Sequence, residues 1–358
     1  MTNLEILKNL IKTKLFKINL KDRFKNLTTI VTIFAVFSTL LFGCKPRTAV
    51  LEKPTEIIEE ATEPLNEETA TETEEEETFE TEYPVIVIDD IETEVTLTEE
   101  PDKIISLAPG NTEILFAIDL GERVVGVDNF SNYPEEVEFV EKIGDAININ
   151  MEKIIELEPD LILTLKGNEE AVNEFESLGI AVYTLDADTI ENVLEDIIEI
   201  GQLTNRFEEA EELTSEMQEK IDEIKELVAD VSDEDKPKVF YMVWNEPIMS
   251  TGKGTFINDL IEQANGINIV ASDGLKGWLE YSLEKLIENN PDVIIAPKSL
   301  AQTPEIIIND QRLSSIKAVL ENRVYVVDDD PVSRIGPRII GGFLQIVKAL
   351  YPDIEFPE

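Results

Sequence analysis

Two segments of this chain are near copies of one another. MEKIIELEPDLIL occupies residues 151–163, and LEKLIENNPDVII occupies 283–295, 132 positions further on. Glu, Lys, Ile, Glu, Pro, Asp and Ile recur in register, and most other positions exchange one aliphatic for another. Each copy reads as a helix with Glu at its start, a stop before proline, and a strand. Proline lacks an N–H and disfavours helical geometry in the residue before it, so it ends such a helix. Helix–loop–strand grammar alone could produce one such match. The similar context on both sides of each copy favours a doubled α/β unit.

The flanking sequence has that context. VIVIDD and EVTLTEE, after Tyr83, alternate as two short strands. KIISLAP (103–109) reads as a buried strand running into a helix at NTEILFAIDLG, with Asn111 as N-cap and Gly121 as the stop. VVGVDN and AVYTLDA are strands, and TIENVLEDIIEIGQLT is a helix. A second series follows: KVFYMVW, TFINDLIEQANG, the second copy, NRVYVVDDD and RIIGGFLQIVKALYP. Strands alternating with helices imply βαβ units on parallel sheets. Between the two series, residues 206–230 contain no Gly or Pro. Leu213, Met217, Ile221, Ile224, Leu227 and Val228 recur close to the 3.6-residue period. This predicts one helix of about 25 residues, roughly 37 Å long. The fold class is therefore α/β: two similar α/β lobes, 83–204 and 237–358, joined by one long rigid helix at 205–233, with a ligand cleft between them.

The N-terminal 82 residues belong to neither lobe. Seven Lys/Arg in 8–25 precede the apolar run LTTIVTIFAVFSTLLF (27–42), then Gly43 and Cys44. A basic region, an apolar run of this length and a small residue before the cleavage point make a secretory signal peptide, 1–43. The ending LFGC resembles the bacterial lipobox, which implies lipid attachment at Cys44. The alternative is a retained membrane helix, for which the run is short against the ~20 residues a span requires. Residues 51–82 hold fourteen Glu and one Lys with no periodic apolar face, so 44–82 reads as a solvated, self-repelling linker.

Charge and composition narrow the chemistry. The net charge of −46 excludes nucleic acid as a partner, since phosphates reward clustered Lys and Arg. There is no His, so imidazole metal sites and His-based catalysis are excluded, and one Cys rules out an intrachain disulfide. No catalytic set is present: GKGTF (252–256) lacks the earlier glycine of a phosphate loop, and no GxSxG or CxxC occurs. The chain is read as a non-enzyme without a cofactor or metal ligands of its own. Paired carboxylates in the cleft would be the enzymatic alternative.

KIISLAPGNTEILFAIDLGERVVGV, NYPEEVEFVEKIGD, both repeat segments, MSTGKGTFINDLIEQANGINIV and SRIGPRIIGGF together resemble the substrate-binding lipoproteins of ABC importers with a rigid interlobe helix, which take cobalamin, siderophores or haem. The resemblance covers about residues 84–352 and is closest to the cobalamin-binding members at SLAPGNTE, NFSNYPEE and the Trp278 segment. It implies a monomer on the extracytoplasmic face of the cell membrane, held by lipid at Cys44. Its partners are a permease and ATPase subunits, and its ligand is a small-molecule metal chelate, a cobalt corrinoid first, with iron–siderophore or haem as the alternative. A surface lipoprotein without transport is a further alternative. The resemblance places ligand against Phe130, Trp244 and Trp278, whose alternative is core packing. It adds polar contacts from Gly110 and Asn111, which could instead only cap a helix. It also adds a cation at Arg334, which could instead pair with Asp328, Asp329 or Asp330. Glu152 and Glu284, at the two helix starts, match acids that dock on permease arginines; stabilising a helix N-terminus is the alternative. Ala146 and Leu165 depart from the cobalamin pattern, which carries Trp at both positions.

Overall fold

A computed structural model describes residues 80–145 and 148–355. The signal and lipid-attachment reading at Cys44, most of the acidic linker and Ala146 lie outside the described residues. The N-terminal lobe opens with an antiparallel hairpin of β1 (Val85–Ile88) and β2 (Glu94–Leu97). Then come β3 (Ile104–Ser106), α1 (Pro109–Ala117), β4 (Val124–Val127), β5 (Glu141–Lys142) and α2 (Met151–Leu157). β6 (Leu161–Leu165), α3 (Glu169–Ser177), β7 (Ala181–Leu185) and α4 (Ile190–Leu203) complete the lobe. The strands form a parallel sheet in the order β5-β4-β3-β6-β7.

Helix α5 (Phe207–Glu226) leads to the second lobe: β8 (Lys238–Tyr241), β9 (Trp244–Asn245), β10 (Ile248–Thr251), α6 (Phe256–Gln263), β11 (Ile267–Asn268) and α7 (Ile269–Ser272). β12 (Trp278–Glu280), α8 (Leu283–Asn289), β13 (Val293–Pro297), α9 (Glu305–Ile308) and α10 (Lys317–Leu320) follow. β14 (Val324–Val327), α11 (Asp329–Ser333) and α12 (Ile339–Leu350) end it. The parallel order β11-β8-β13-β14 repeats the β4-β3-β6-β7 core of the first lobe.

The two repeat segments occupy equivalent places. α2 and α8 each take a side-chain N-cap, from Asn150 and Ser282. Each ends on a left-handed residue, Glu158 at φ 52° and Asn290 at φ 46°, immediately before the proline. The aspartate after that proline then grips the neighbouring strand. Asp160 Oδ2 accepts from the Asp102 and Lys103 amides, both at 2.9 Å, and Asp292 Oδ2 accepts from the Lys238 amide at 2.8 Å. Those amides stand at the starts of β3 and β8, the strands that pair with β6 and β13. The Pro-Asp of the repeat thus fixes the register of the central strand pair in each lobe.

Both sheets are buried on both faces, as covered parallel sheets require. One face of each has a core of its own, around Ile105, Ile162 and Val182 in the first lobe and Phe240, Ile294 and Ala296 in the second. The opposite faces, with Ile104, Leu161 and Tyr183 from one lobe and Val239, Val293 and Ile295 from the other, join a single apolar cluster. α5 supplies Ala210, Met217, Ile221 and Ile224 to that cluster and packs on α4 of one lobe and α12 of the other.

Three local expectations are corrected. α5 is 20 residues long rather than about 25. Its last turn tightens into three-residue bonds, Val228 N to Lys225 O and Ala229 N to Glu226 O, and the Asn265 amide takes the Val228 carbonyl at 2.7 Å. α1 starts at Pro109 with Ala108 as N-cap, so Asn111 lies inside the first turn. Proline suits that position because the missing N–H would find no partner there. The helix stops at Ala117, and Asp119 at φ 60° makes the turn instead of Gly121.

Candidate ligand site at the carboxyl ends of the two sheets

In open α/β sheets, ligand crevices form outside the carboxyl ends of the strands. Most of the predicted site residues stand after strands of the two sheets. Gly110 and Asn111 follow β3, Phe130 follows β4, Trp244 follows β8, and Arg334 follows β14 and α11. Three aromatics stay open to solvent: Phe130 is 64% exposed, Trp244 53% and Trp278 59%. Core packing is thereby excluded for all three.

The tryptophans share a platform. β9, β10 and β12 form a small antiparallel sheet, with Trp244 opposite Met249 and Trp278 opposite Thr251. Directly paired residues project to one side, and Met249 and Thr251 are two apart on one strand, so both indoles leave the same face. The other face carries Ile248 and Leu279 into the core of the second lobe. The two tryptophans are attached two strand spacings and two residues apart, roughly 12 Å. The Trp244 Nε1–H donates to the Glu246 carbonyl at 3.0 Å, which fixes the ring as a plate. Beside Trp278, the Lys253 and Lys276 backbones form a bridge, and both side chains are exposed with no carboxylate partner among the described residues.

Two predicted contacts are corrected by the lobe junction. Gly110 does not face open space: a side chain built on it would meet the Ile335 carbonyl oxygen at 2.2 Å. Here the two lobes touch backbone to backbone. Arg334 does not present a free guanidinium. It donates to Glu113 Oε1 at 3.1 Å, Asn132 Oδ1 at 2.8 Å and the Phe130 carbonyl at 3.3 Å, and pairs with Asp330 at 3.0 Å. The Asp330 pair matches the ion-pair alternative; the partners in the first lobe do not. Glu113 is buried and takes a bidentate fork from Arg338 at 2.8 and 2.6 Å, which lifts the Arg338 pKa further above its ordinary value. Arg338 also lies 4.3 Å over the Tyr133 ring. Glu113 and Arg338 could not be singled out beforehand, because residues 225 positions apart give no local signal. Asn111 is fully buried, and neither atom of its amide has a protein partner.

Glu152 and Glu284 are both exposed at the second residue of α2 and α8, in the equivalent places described above. Leu165 is half-buried at the carboxyl end of β6. A surface groove of about 890 Å³ is lined by Glu122, Val124, Glu141 and Leu157 at the amino ends of β4, β5 and β6, away from these residues. A separate acidic cluster joins Tyr183, whose hydroxyl lies within hydrogen-bond distance of Asp196 at 3.0 Å and Glu199 at 2.6 Å. Burial raises the pKa of Asp196, and burial with nearby Asp90 raises that of Glu199 to about 7. Among the described residues no group of acidic or sulfur side chains could hold a metal, and no helix is long and apolar enough to cross a membrane.

Two similar α/β lobes on one connecting helix, with exposed aromatics at the strand ends, match the two-lobe α/β class of solute-binding proteins. The periplasmic binding protein family model matches residues 104–331, and the chain belongs to that family. It is the substrate-binding component of an ABC importer, which works with permease and ATPase subunits, and not an enzyme. It is 36% identical over 277 residues to the ABC transporter substrate-binding lipoprotein YvrC of Bacillus subtilis, covering 76% of this chain and 87% of that one. It is 30% identical over 250 residues to the vitamin B12-binding protein of Salmonella typhimurium, covering 69% and 90%. Among solved structures, a possible iron-binding periplasmic solute-binding protein of Staphylococcus epidermidis superposes with a TM-score of 0.63 at 35% identity, over 71% of this chain and all of that one.

Proposed function

We propose that this protein captures a corrinoid between its lobes and delivers it to a permease from a lipid anchor at Cys44. The observation that carries the reading is the set of three exposed aromatics at the strand ends, Phe130 on one lobe and the Trp244–Trp278 platform on the other. Large aromatics left wet at the carboxyl ends of two sheets suit a broad, largely apolar macrocycle, which can cover their exposed faces. Asn111, with both amide atoms free of protein partners, suits a polar edge of such a ligand. The similarity to a protein named for vitamin B12 points the same way. Titration with cyanocobalamin tests this: quenching of Trp244 and Trp278 at micromolar ligand is expected, and a flat titration refutes it. Lys253 and Lys276 beside Trp278 favour a second reading, an acidic iron chelate. Ferric siderophores and haem are therefore titrated alongside.

Docking rests on the doubled helix starts. Glu152 and Glu284 meet the permease as a two-fold pair. Exposed pairs are worth only ~0–1 kcal/mol each, so their work is orientation and encounter rate. Reversing both, Glu152→Arg with Glu284→Arg, is expected to abolish uptake while binding is retained. Unchanged uptake refutes docking through these acids.

A further inference from the structure

The loop that carries Phe130 is held from both lobes. Its inner half is anchored in the first lobe. Asp128 Oδ2 accepts from the Phe130 amide at 2.9 Å, Asp128 Oδ1 accepts from the Ser131 hydroxyl, and Lys142 donates to the Ser131 carbonyl. Its outer half is held by the second lobe. Arg334 reaches the Phe130 carbonyl and Asn132 Oδ1, and Arg338 covers the Tyr133 ring. Both arginines converge on Glu113, in the first lobe, and on Asp330, in their own. The Arg334 side chain is only 12% exposed and Glu113 only 2%, so the pairs are shielded from water and salt.

We infer that Arg334 is a positioning residue: docked on Glu113 across the lobe junction, it sets the Phe130 loop so that the ring stands in the ligand site only while the lobes are together. A guanidinium is suited to this because its five N–H donors lie in a rigid planar fork that holds several acceptors in fixed directions, whereas an ammonium offers three donors on a flexible stem. The Gly110–Ile335 contact brings the two backbones close enough for the fork to span the junction. Prising the lobes apart therefore also releases the loop, and the first lobe's aromatic contact loosens with the same motion that opens the site. This inference rests on the corrinoid reading only for its ligand.

The test uses Arg334→Gln and Arg334→Lys in the full chain. Without ligand, hydrogen exchange of the peptide spanning 128–133 is expected to quicken about tenfold in both variants while α4 exchanges as before. Arg334→Lys keeps the charge opposite Glu113, so its thermal midpoint is expected to stay close to the parent's. With cyanocobalamin as probe, Phe130→Ala and Arg334→Gln are each expected to weaken binding about tenfold, and the double variant no further, because both remove one contact. Unchanged exchange at 128–133 overturns the inference and leaves Arg334 a plain staple between lobes. Additive losses in the double variant overturn it too. If the parent protein does not bind cyanocobalamin, the corrinoid reading fails, and the exchange experiment still decides the role of Arg334.

Discussion

Gly110→Ala is the most exacting probe of the lobe junction. The added methyl would stand 2.2 Å from the Ile335 carbonyl oxygen and 2.8 Å from its carbon, where ordinary contact begins near 3.4 Å. The obstacle is backbone, so no rotamer change relieves it. One lobe edge must retreat by about 1 Å, and a packed interior resists such a shift because its neighbours have no free space. Overpacking of this kind costs about 1–3 kcal/mol, which for a body of this size lowers the melting temperature by roughly 2–5 °C. The retreat also stretches the Arg334 and Arg338 forks to Glu113, so exchange at residues 333–338 quickens. Gly341→Ala is the matched control: its nearest neighbour is a Pro331 side-chain atom at 3.9 Å, and a helical Gly→Ala change there is neutral or slightly stabilising. Differential scanning calorimetry and hydrogen exchange read the outcome. A Gly110→Ala protein that melts within about 1 °C of the parent, with unchanged exchange at 333–338, refutes the claim that the lobes are in backbone contact here.

Further outcomes follow from other sites. Asp160→Ala and Asp292→Ala each remove the grip on the start of a central strand and are expected to cost about 1–2 kcal/mol each. The two losses should add, since the two sites share no partner; thermal unfolding checks this, and a silent member of the pair breaks the equivalence of the lobes. Glu199 holds its proton more tightly folded (pKa about 7) than unfolded (4.5), so the folded state binds more protons between those values. Its contribution is therefore present at low pH and lost as pH rises from about 5 to 7. The full shift corresponds to roughly 3 kcal/mol, reduced to about 1–2 kcal/mol for a group that water partly reaches. Thermal scans should show a higher midpoint at pH 5.5 than at pH 7.5, and Glu199→Gln should flatten that slope. Equal slopes in the two proteins would assign the effect to overall charge repulsion instead.

The sequence disclosed the doubled architecture because its signals are local. A proline ending a helix, an aspartate after it and a run of β-branched residues act within a dozen positions, and they reappear in α2–β6 and α8–β13. The exposed aromatics were legible for the same reason: Trp278 directly follows Gly277, and Trp244 ends the apolar run KVFYMVW. What could not be read is where opposite lobes meet. Glu113 reads as an ordinary helix residue and Arg334 as a free loop cation, and only the folded chain brings them to 3.1 Å. Gly110 reads as a polar contact or a helix cap, yet it is needed for want of a side chain against Ile335. The end of α5 was misplaced because a tertiary partner, Asn265, takes a carbonyl that helix periodicity assigns to the helix.

The apolar cluster that runs from one sheet through α5 to the other carries a consequence for each lobe taken alone. One face of each sheet is covered through that shared cluster, so neither half is complete without the other. Cutting the chain ahead of α5 would leave each fragment with a stripe of wet aliphatic side chains where its sibling had been. Such fragments, made separately, should stay insoluble, and made together they should find one another. Each lobe is completed by the other.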